Sequence, residues 1–171
     1  MRASAGLLTL LLTGLVASPG CGYRPPGMMD PAGRVQRLYA APFTNRTFRA
    51  GLDGMVAAAV LRQLQLNGGV SVVEESQAEH TLKGVVRLYE NDAIAFDPTD
   101  VGRRFRVRVY LTTTLSDRRG GSPPVQREVV GEAFYTAGNS VSGARAAEED
   151  AVRRAVAELA ARLVTYLVDD L

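Results

Sequence analysis

The stretch RRFRVRVYLTTTL, from Arg103 to Leu115, decides the fold because its polar and apolar residues alternate with a period of two. One side of the alternation is apolar and consists of Phe105, Val107, Val109 and Leu111. The other side is mostly cationic and consists of Arg104, Arg106, Arg108 and Tyr110. This pattern is typical of an antiparallel strand with one face on a hydrophobic core and the other face toward solvent.

Two flanking stretches extend this strand into a sheet. The segment from His80 to Tyr89 also alternates, and we expect Leu82, Gly84, Val86 and Leu88 on its core face. Its opposite face would then carry Thr81, Lys83, Val85, Arg87 and Tyr89. On the other side, a turn from Asp117 to Pro124 leads into a further strand from Val125 to Thr136, which predicts a hairpin.

The remaining elements are two helices and two shorter strands. Strands are predicted at 35–43 and 70–73. A helix is predicted from Leu52 to Leu66, ended by Asn67-Gly68-Gly69, and a second one from Gly143 to Val168, capped by Ser140 or Ser142. The order β-α-β-β-β-β-α predicts an α/β (α+β) domain. Its two helices would pack on one face of a mixed, mostly antiparallel four- to five-stranded sheet.

The N-terminus has the pattern of an export signal. Arg2 precedes an uncharged, leucine-rich run from Gly6 to Ala17, which is shorter than the roughly 20 residues of a membrane span. Cys21 is the single cysteine of the chain and resembles the lipid-modified cysteine of a bacterial lipobox, although Ser18 and Pro19 depart from that pattern. We therefore expect a signal peptide at 1–20, a lipidated flexible tether at 21–33 and a single α/β domain at 34–171.

Composition argues against several classes of function. The net charge of +2 lacks the basic surplus of a nucleic-acid-binding domain. His80 is the one histidine, Cys21 is assigned to lipid, and no nucleophile elbow, phosphate-binding glycine loop or zinc-protease motif is present. We therefore expect no catalytic residues, no cofactor and no metal.

The arginines of the alternating strand are the candidate binding residues. We expect Arg104, Arg106 and Arg108 on one face, about 6.6 to 6.8 Å apart at each step of two residues. Lys83 and Arg87 would join them if the neighbouring strand presents these side chains on the same side. Guanidinium groups suit phosphate and carboxylate ligands. The alternative interpretation is a solvated face balanced by acids such as Glu128 and Glu132.

The succession of these features resembles the lipopolysaccharide (LPS) assembly lipoprotein family, LptE. The resemblance rests on Cys21-Gly22-Tyr23, the first strand with Asn45 and Thr47 after it, Gly51-Leu52, the stretch 78–84, the arginine strand ending at Leu115-Ser116-Asp117, and the C-terminal helix. It implies a non-enzymatic, lipid-anchored protein on the periplasmic side of the outer membrane. Such a protein acts as plug and assembly partner of the translocon β-barrel LptD and contacts LPS.

A second hypothesis comes from the first strand. The segment from Arg37 to Phe43, followed by Asn45-Arg46-Thr47, is also similar to the opening of activator and secretion-channel lipoproteins of the LpoB and CsgG type. Such a protein would bind a peptidoglycan synthase or assemble into a ring.

Overall fold

Six strands and two α-helices make up the computed structural model, which describes residues 36–98, 102–138 and 140–170. The predicted signal peptide, Cys21 and the tether lie outside the described residues. In chain order the elements are β1 (Gln36–Ala40), β2 (Thr44–Asn45), α1 (Leu52–Asn67), β3 (Val70–Val72), β4 (His80–Phe96), β5 (Gly102–Asp117), β6 (Val125–Thr136) and α2 (Val141–Asp170).

The strands form one mixed sheet in the order β3-β1-β4-β5-β6, with β2 paired to β4 in line with β1. The short pairings β1–β3, β1–β4 and β2–β4 are parallel, whereas the long pairings β4–β5 and β5–β6 are antiparallel. The predicted fold class is confirmed, and the sixth strand is the two-residue β2. The strand predicted to end at Tyr89 continues to Phe96.

The core lies between the two helices and one face of the sheet. The predicted apolar stripe of α2 is buried throughout, from Val152 to Leu167. On α1 the buried residues are Leu52, Val56, Val60 and Leu64. They pack in one cluster with the apolar side chains of β5, of which Val107, Val109 and Leu111 are fully buried. The core face predicted for the arginine strand is therefore confirmed.

The helix ends follow local chemistry. Gly68 has φ 66° directly after α1, a left-handed conformation that glycine adopts without steric cost, and the predicted stop is confirmed. At α2 the Ser140 Oγ accepts a hydrogen bond from the Gly143 N–H at 3.1 Å. Ser140 is therefore the cap.

The predicted facing of β4 is wrong beyond Val86. Val86 pairs with Leu111, but Leu88 pairs with Tyr110, so Arg87 is an extra residue in a β-bulge. One inserted residue reverses the facing of the side chains that follow, here from Leu88 to Ala93, after which the register shifts again. Leu88, predicted for the core face, is 45% exposed, and Tyr89, predicted for the outer face, packs against the core.

Helix α2 also covers the free edge of β6. The guanidinium groups of Arg154 and Arg162 donate to the carbonyl oxygens of Phe134 and Val130, at 2.9 and 3.0 Å. Between them, Glu158 Oε2 accepts from the Glu132 N–H at 2.8 Å. The three side chains of α2 are four residues apart, a rise of about 6 Å along the helix, and their targets on β6 are two residues apart, about 6.8 Å along the strand. The spacing of the donors and acceptors therefore matches along the two elements. We call Arg154, Glu158 and Arg162 the α2 ladder.

Candidate functional site: the arginine face of the sheet

Arg104, Arg106 and Arg108 lie on the face of the sheet opposite the helices, as predicted. Their neighbours along β5, Val107 and Val109, are fully buried in the helix-facing core. Strict alternation along a strand sends the arginine side chains to the other face. Together with the outward residues of β4 and β6 that pair with them, these side chains form what we call the arginine face.

Two of the three arginines are held by carboxylates. Arg108 lies 2.7 Å from Glu90 Oε2 and 3.2 Å from Asp92 Oδ2, both on β4. Arg106 lies between Asp92 on β4, at 4.0 Å, and Glu132 on β6, at 3.8 Å. The centre of the face is therefore a network in which the two arginines Arg106 and Arg108 contact the three carboxylates of Glu90, Asp92 and Glu132.

The pKa values reflect this network. Burial lowers the pKa of Arg108, but the carboxylates of Asp92 and Glu90 outweigh burial, and the net pKa is raised. Burial raises the pKa of the Tyr110 phenol, and the hydrogen bond that Tyr110 donates to Glu90 Oε2 at 3.1 Å raises it further. Arg108 therefore stays cationic and Tyr110 stays a hydrogen-bond donor at neutral pH.

Arg104 differs from its two neighbours. Its guanidinium carbon lies 5.4 Å from the centre of the Phe134 ring, within cation–π range, and no carboxylate among the described residues pairs with it. Arg104 and Phe134 line a pocket of about 460 Å³ at the β6 edge, together with Tyr135, Thr136, Ala147, Asp150 and Arg154. Asp150 in this pocket is bound by Arg153 and Arg154, at 3.1 and 2.9 Å. Arg104 therefore remains a cation without an anionic partner in this part of the structure.

The structure does not bring Lys83 into the group. Lys83 pairs with Thr114, six residues along β5 from Arg108, which is roughly 20 Å at ~3.4 Å per residue. Arg87 is exposed in the bulge beside the Leu88–Tyr110 pair. The residues of β4 that lie across from Arg106 and Arg108 are the acids Asp92 and Glu90. The predicted balancing acids are also only partly placed there, because Glu132 contacts Arg106 whereas Glu128 pairs with Thr112.

A second polar cluster, which sequence analysis missed, joins three distant segments. Arg49 Nη1 lies 2.7 Å from Glu148 Oε1, and the Tyr89 hydroxyl donates to the same oxygen at 2.8 Å. Burial raises the pKa of Tyr89 well above its usual value, and the hydrogen bond to Glu148 adds to the rise. Only the fold brings these residues together, since Tyr89 and Arg49 lie 59 and 99 positions from Glu148 in the chain.

The loop before α1 presents an aromatic side chain beside this cluster. The Asn45 amide donates to the Arg49 carbonyl at 2.7 Å, and its oxygen accepts from the Thr47 N–H at 2.9 Å. Phe48, inside this hydrogen-bonded loop, is fully exposed. Phe48 and Tyr89 line an open pocket of about 570 Å³, together with Arg49, Ala50, Arg145, Glu148 and Glu149.

The described residues contain neither a candidate metal site nor a membrane-spanning helix. No cluster of at least three histidine, cysteine or acidic side chains in this part of the chain could hold a metal ion. No described helix is long and apolar enough to cross a membrane.

The fold is similar to those of several solved lipoprotein structures. Rare lipoprotein B from Shewanella oneidensis is 13% identical and has a TM-score of 0.59, over 79% of this chain and 96% of that one. A minor lipoprotein from Acinetobacter baumannii is 16% identical with a TM-score of 0.54, over 79% and 94%. Uncharacterized lipoprotein B from Nitrosomonas europaea is 15% identical with a TM-score of 0.53, over 79% and 81%. At these identities the likeness concerns the fold alone.

The shared architecture is thus a two-helix, mixed-sheet domain found in small bacterial lipoproteins. A family model described as LptE, lipopolysaccharide-assembly, matches residues 35–167, and the chain belongs to this family. The resemblance drawn from the sequence is confirmed. No curated protein matches the chain in sequence.

Proposed function

We propose that this protein is an outer-membrane lipoprotein that binds LPS and acts as plug and assembly partner of a translocon β-barrel of the LptD type. The observation that carries the proposal is the match to the LPS-assembly family over nearly the whole predicted domain. The domain has no catalytic role in this proposal. Lipid on Cys21 would hold it at the periplasmic side of the outer membrane, because more than one acyl chain gives stable anchoring.

The arginine face supports the LPS-binding part of the proposal. Arg104 offers guanidinium donors that have no carboxylate partner among the described residues, beside the partly exposed ring of Phe134. A phosphorylated glycolipid presents anionic oxygens next to apolar chains, and guanidinium forks bind phosphate in bidentate geometry. Arg106 and Arg108 could join only by exchanging Asp92, Glu90 or Glu132 for ligand oxygens. We therefore rank Arg104 first, Arg106 and Arg108 second, and Arg87 and Lys83 last.

Titration with purified LPS tests this ranking. We expect Arg104→Gln to weaken binding about tenfold, which corresponds to the loss of one charge-assisted hydrogen bond of about 1.5 kcal/mol. The matched control is Arg119→Gln in the turn between β5 and β6, whose guanidinium pairs with Glu79 and whose side chain is 72% exposed. Equal binding by Arg104→Gln and the wild type, with the control also unchanged, would remove Arg104 from the site.

Membrane fractionation tests the anchor separately. A Cys21→Ser variant cannot carry lipid on sulfur, and we expect it in the soluble periplasmic fraction, whereas the wild type sediments with outer membranes. If the variant still sediments there after a high-salt wash, the mass of the wild-type N-terminal peptide decides, because a barrel partner would also retain an unlipidated plug. A Cys21 without acyl chains would show that Cys21 is not the anchor.

A further inference from the structure

The two outer edges of the long antiparallel strands are covered very differently. On β6 the α2 ladder binds the main-chain groups of Val130, Glu132 and Phe134. On β4, β1 pairs only with 80–82 and β2 only with 85–86. Among the described residues, no strand pairs with the same side of β4 from Leu88 to Phe96. We call this stretch the open β4 edge; it is roughly 30 Å long at ~3.3 Å per residue.

The hydrogen-bond pattern identifies the groups that face outward along this edge. On β6, Val130 and Glu132 point their main-chain groups at α2, so their partners Tyr110 and Arg108 point theirs at β4. These groups meet Leu88 and Glu90. The alternate residues Tyr89, Asn91 and Ala93 therefore direct their N–H and C=O groups away from the sheet, into the position of a missing strand.

The side chains along the open β4 edge are more apolar than is usual for a strand edge that faces only solvent. Exposed apolar side chains occur along it at Leu88, Ile94 and Phe96, which are 45%, 41% and 58% exposed. The stretch contains no lysine or proline, two residue types that commonly protect a free edge, and from Leu88 to Ala93 its pairing with β5 is regular, because the register irregularities lie beyond Ala93. At its start, the hydrogen-bonded loop at residues 45–49 holds the exposed Phe48 in place.

The pocket between Phe48 and Tyr89 lies at the same end of the edge. Arg46 N donates to Val86 O, which brings the loop to the first unpaired residues of β4. A strand that continues the line of β2 would pass this loop and turn alternate side chains toward the helix side, where Tyr89 and Glu148 meet. Peptides that add to sheets gain affinity from main-chain hydrogen bonds and specificity from such pockets.

We propose that the open β4 edge binds an extended strand of a partner polypeptide. The strand carries a large apolar side chain for the pocket of Phe48 and Tyr89, and basic side chains on the opposite face, beside Glu90 and Asp92. Asp92 is 48% exposed and can accept a further cation in addition to Arg106 and Arg108. The proposal requires no glycolipid and is independent of the proposed function.

A second copy of this chain fits the edge less well. Antiparallel self-pairing centred on Asp92 or Glu90 sets the carboxylates of the two copies against one another on one face. Like charges directly opposite in a sheet are destabilising. The charge of the edge therefore favours a different, basic strand.

The test uses the mature protein in mild detergent and a synthetic probe of about ten residues, the upper end of the usual strand length. The probe alternates Lys and Val, with one Phe on the valine face; a matched probe has Pro at its centre. We expect the first probe to bind with a micromolar Kd and the second at least tenfold more weakly. Hydrogen exchange at the Tyr89, Asn91 and Ala93 amides should slow at least tenfold when the first probe is bound.

The matched variants are Ala93→Pro and Ala93→Val. Proline removes an outward N–H that β5 does not use and blocks strand addition, whereas valine keeps the N–H. We expect Ala93→Pro to lose binding tenfold or more and Ala93→Val to bind like the wild type. No binding at about 1 mM probe, or equal binding of both probes, would overturn the proposal. Amide protection that rises with protein concentration without probe would also overturn it, in favour of self-pairing.

Discussion

Gly131 on β6 provides a sharp test of how α2 packs on the sheet. A Cβ atom added at this position would lie 2.0 Å from the Ala155 carbonyl oxygen and 2.6 Å from Leu159 Cβ. Ordinary carbon–oxygen contacts are about 3.3 Å, so helix and strand would have to separate by about 1.3 Å. The obstacle is main chain and cannot rotate away.

Gly131→Ala should therefore cost at least the upper end of the overpacking range, about 3 kcal/mol. Separation would also lengthen the α2 ladder bonds on either side of Gly131. With an m-value of about 2 kcal/mol/M for a domain of this size, the midpoint of urea unfolding should fall by about 1.5 M. The assay is equilibrium urea unfolding followed by circular dichroism, with the m-value compared between variants.

The matched control is Gly138→Ala, because a Cβ at Gly138 meets no atom within 4 Å. We expect the free energy of unfolding of this control to stay within about 0.5 kcal/mol of the wild type. If Gly131→Ala also stays within that range with an unchanged m-value, the close approach of α2 to β6 is incorrect.

Three further predictions concern charge and hydrogen bonding. Because the folded-state pKa of Tyr89 is raised, its neutral form contributes stability that is present below the unfolded pKa of about 10 and lost as pH rises above it. Urea unfolding from pH 8 to 11 should show a shallower decline for Tyr89→Phe than for the wild type, and identical slopes would contradict this. Arg108→Glu should lower the thermal midpoint more than Arg104→Glu, because Glu90 and Asp92 surround Arg108; scanning calorimetry that gives the reverse order would refute the network. Arg162→Met leaves the Val130 carbonyl without its donor and should lower the free energy of unfolding by about 1 kcal/mol. Because the β6 edge is then uncovered, we also expect light scattering to show association at high protein concentration. A variant that stays monomeric with unchanged stability would show that the α2 ladder does not protect the edge.

The sequence predicts the fold well where periodicity is strong. The alternation in β5 and the helical stripe of α2 give the core almost residue by residue, because most core-facing positions in these elements are apolar. The second half of β4 was missed, since Glu90-Asn91-Asp92 has low strand propensity and no apolar side. The bulge at Arg87 was missed as well, because one extra residue in a strand leaves only a phase change between Val86 and Tyr89.

The candidate site was only half predictable for a related reason. A single strand places Arg104, Arg106 and Arg108 on one face without information from other strands. The partners of these arginines depend on strand register, which places Lys83 opposite Thr114, far along β5. After the bulge at Arg87, the residues opposite Arg108 and Arg106 are Glu90 and Asp92. The cluster of Arg49, Tyr89 and Glu148 joins three elements far apart in the chain and leaves no local signal.

The most direct test of the proposed function is purification of the lipidated protein from outer membranes in mild detergent, with mass identification of what accompanies it. We predict a large β-barrel of the LPS translocon in near-equal amount, together with LPS, and LPS retained in the periplasm of depleted cells. Recovery of the protein without a barrel, or as a ring of its own copies, with normal surface LPS after depletion, would contradict the account.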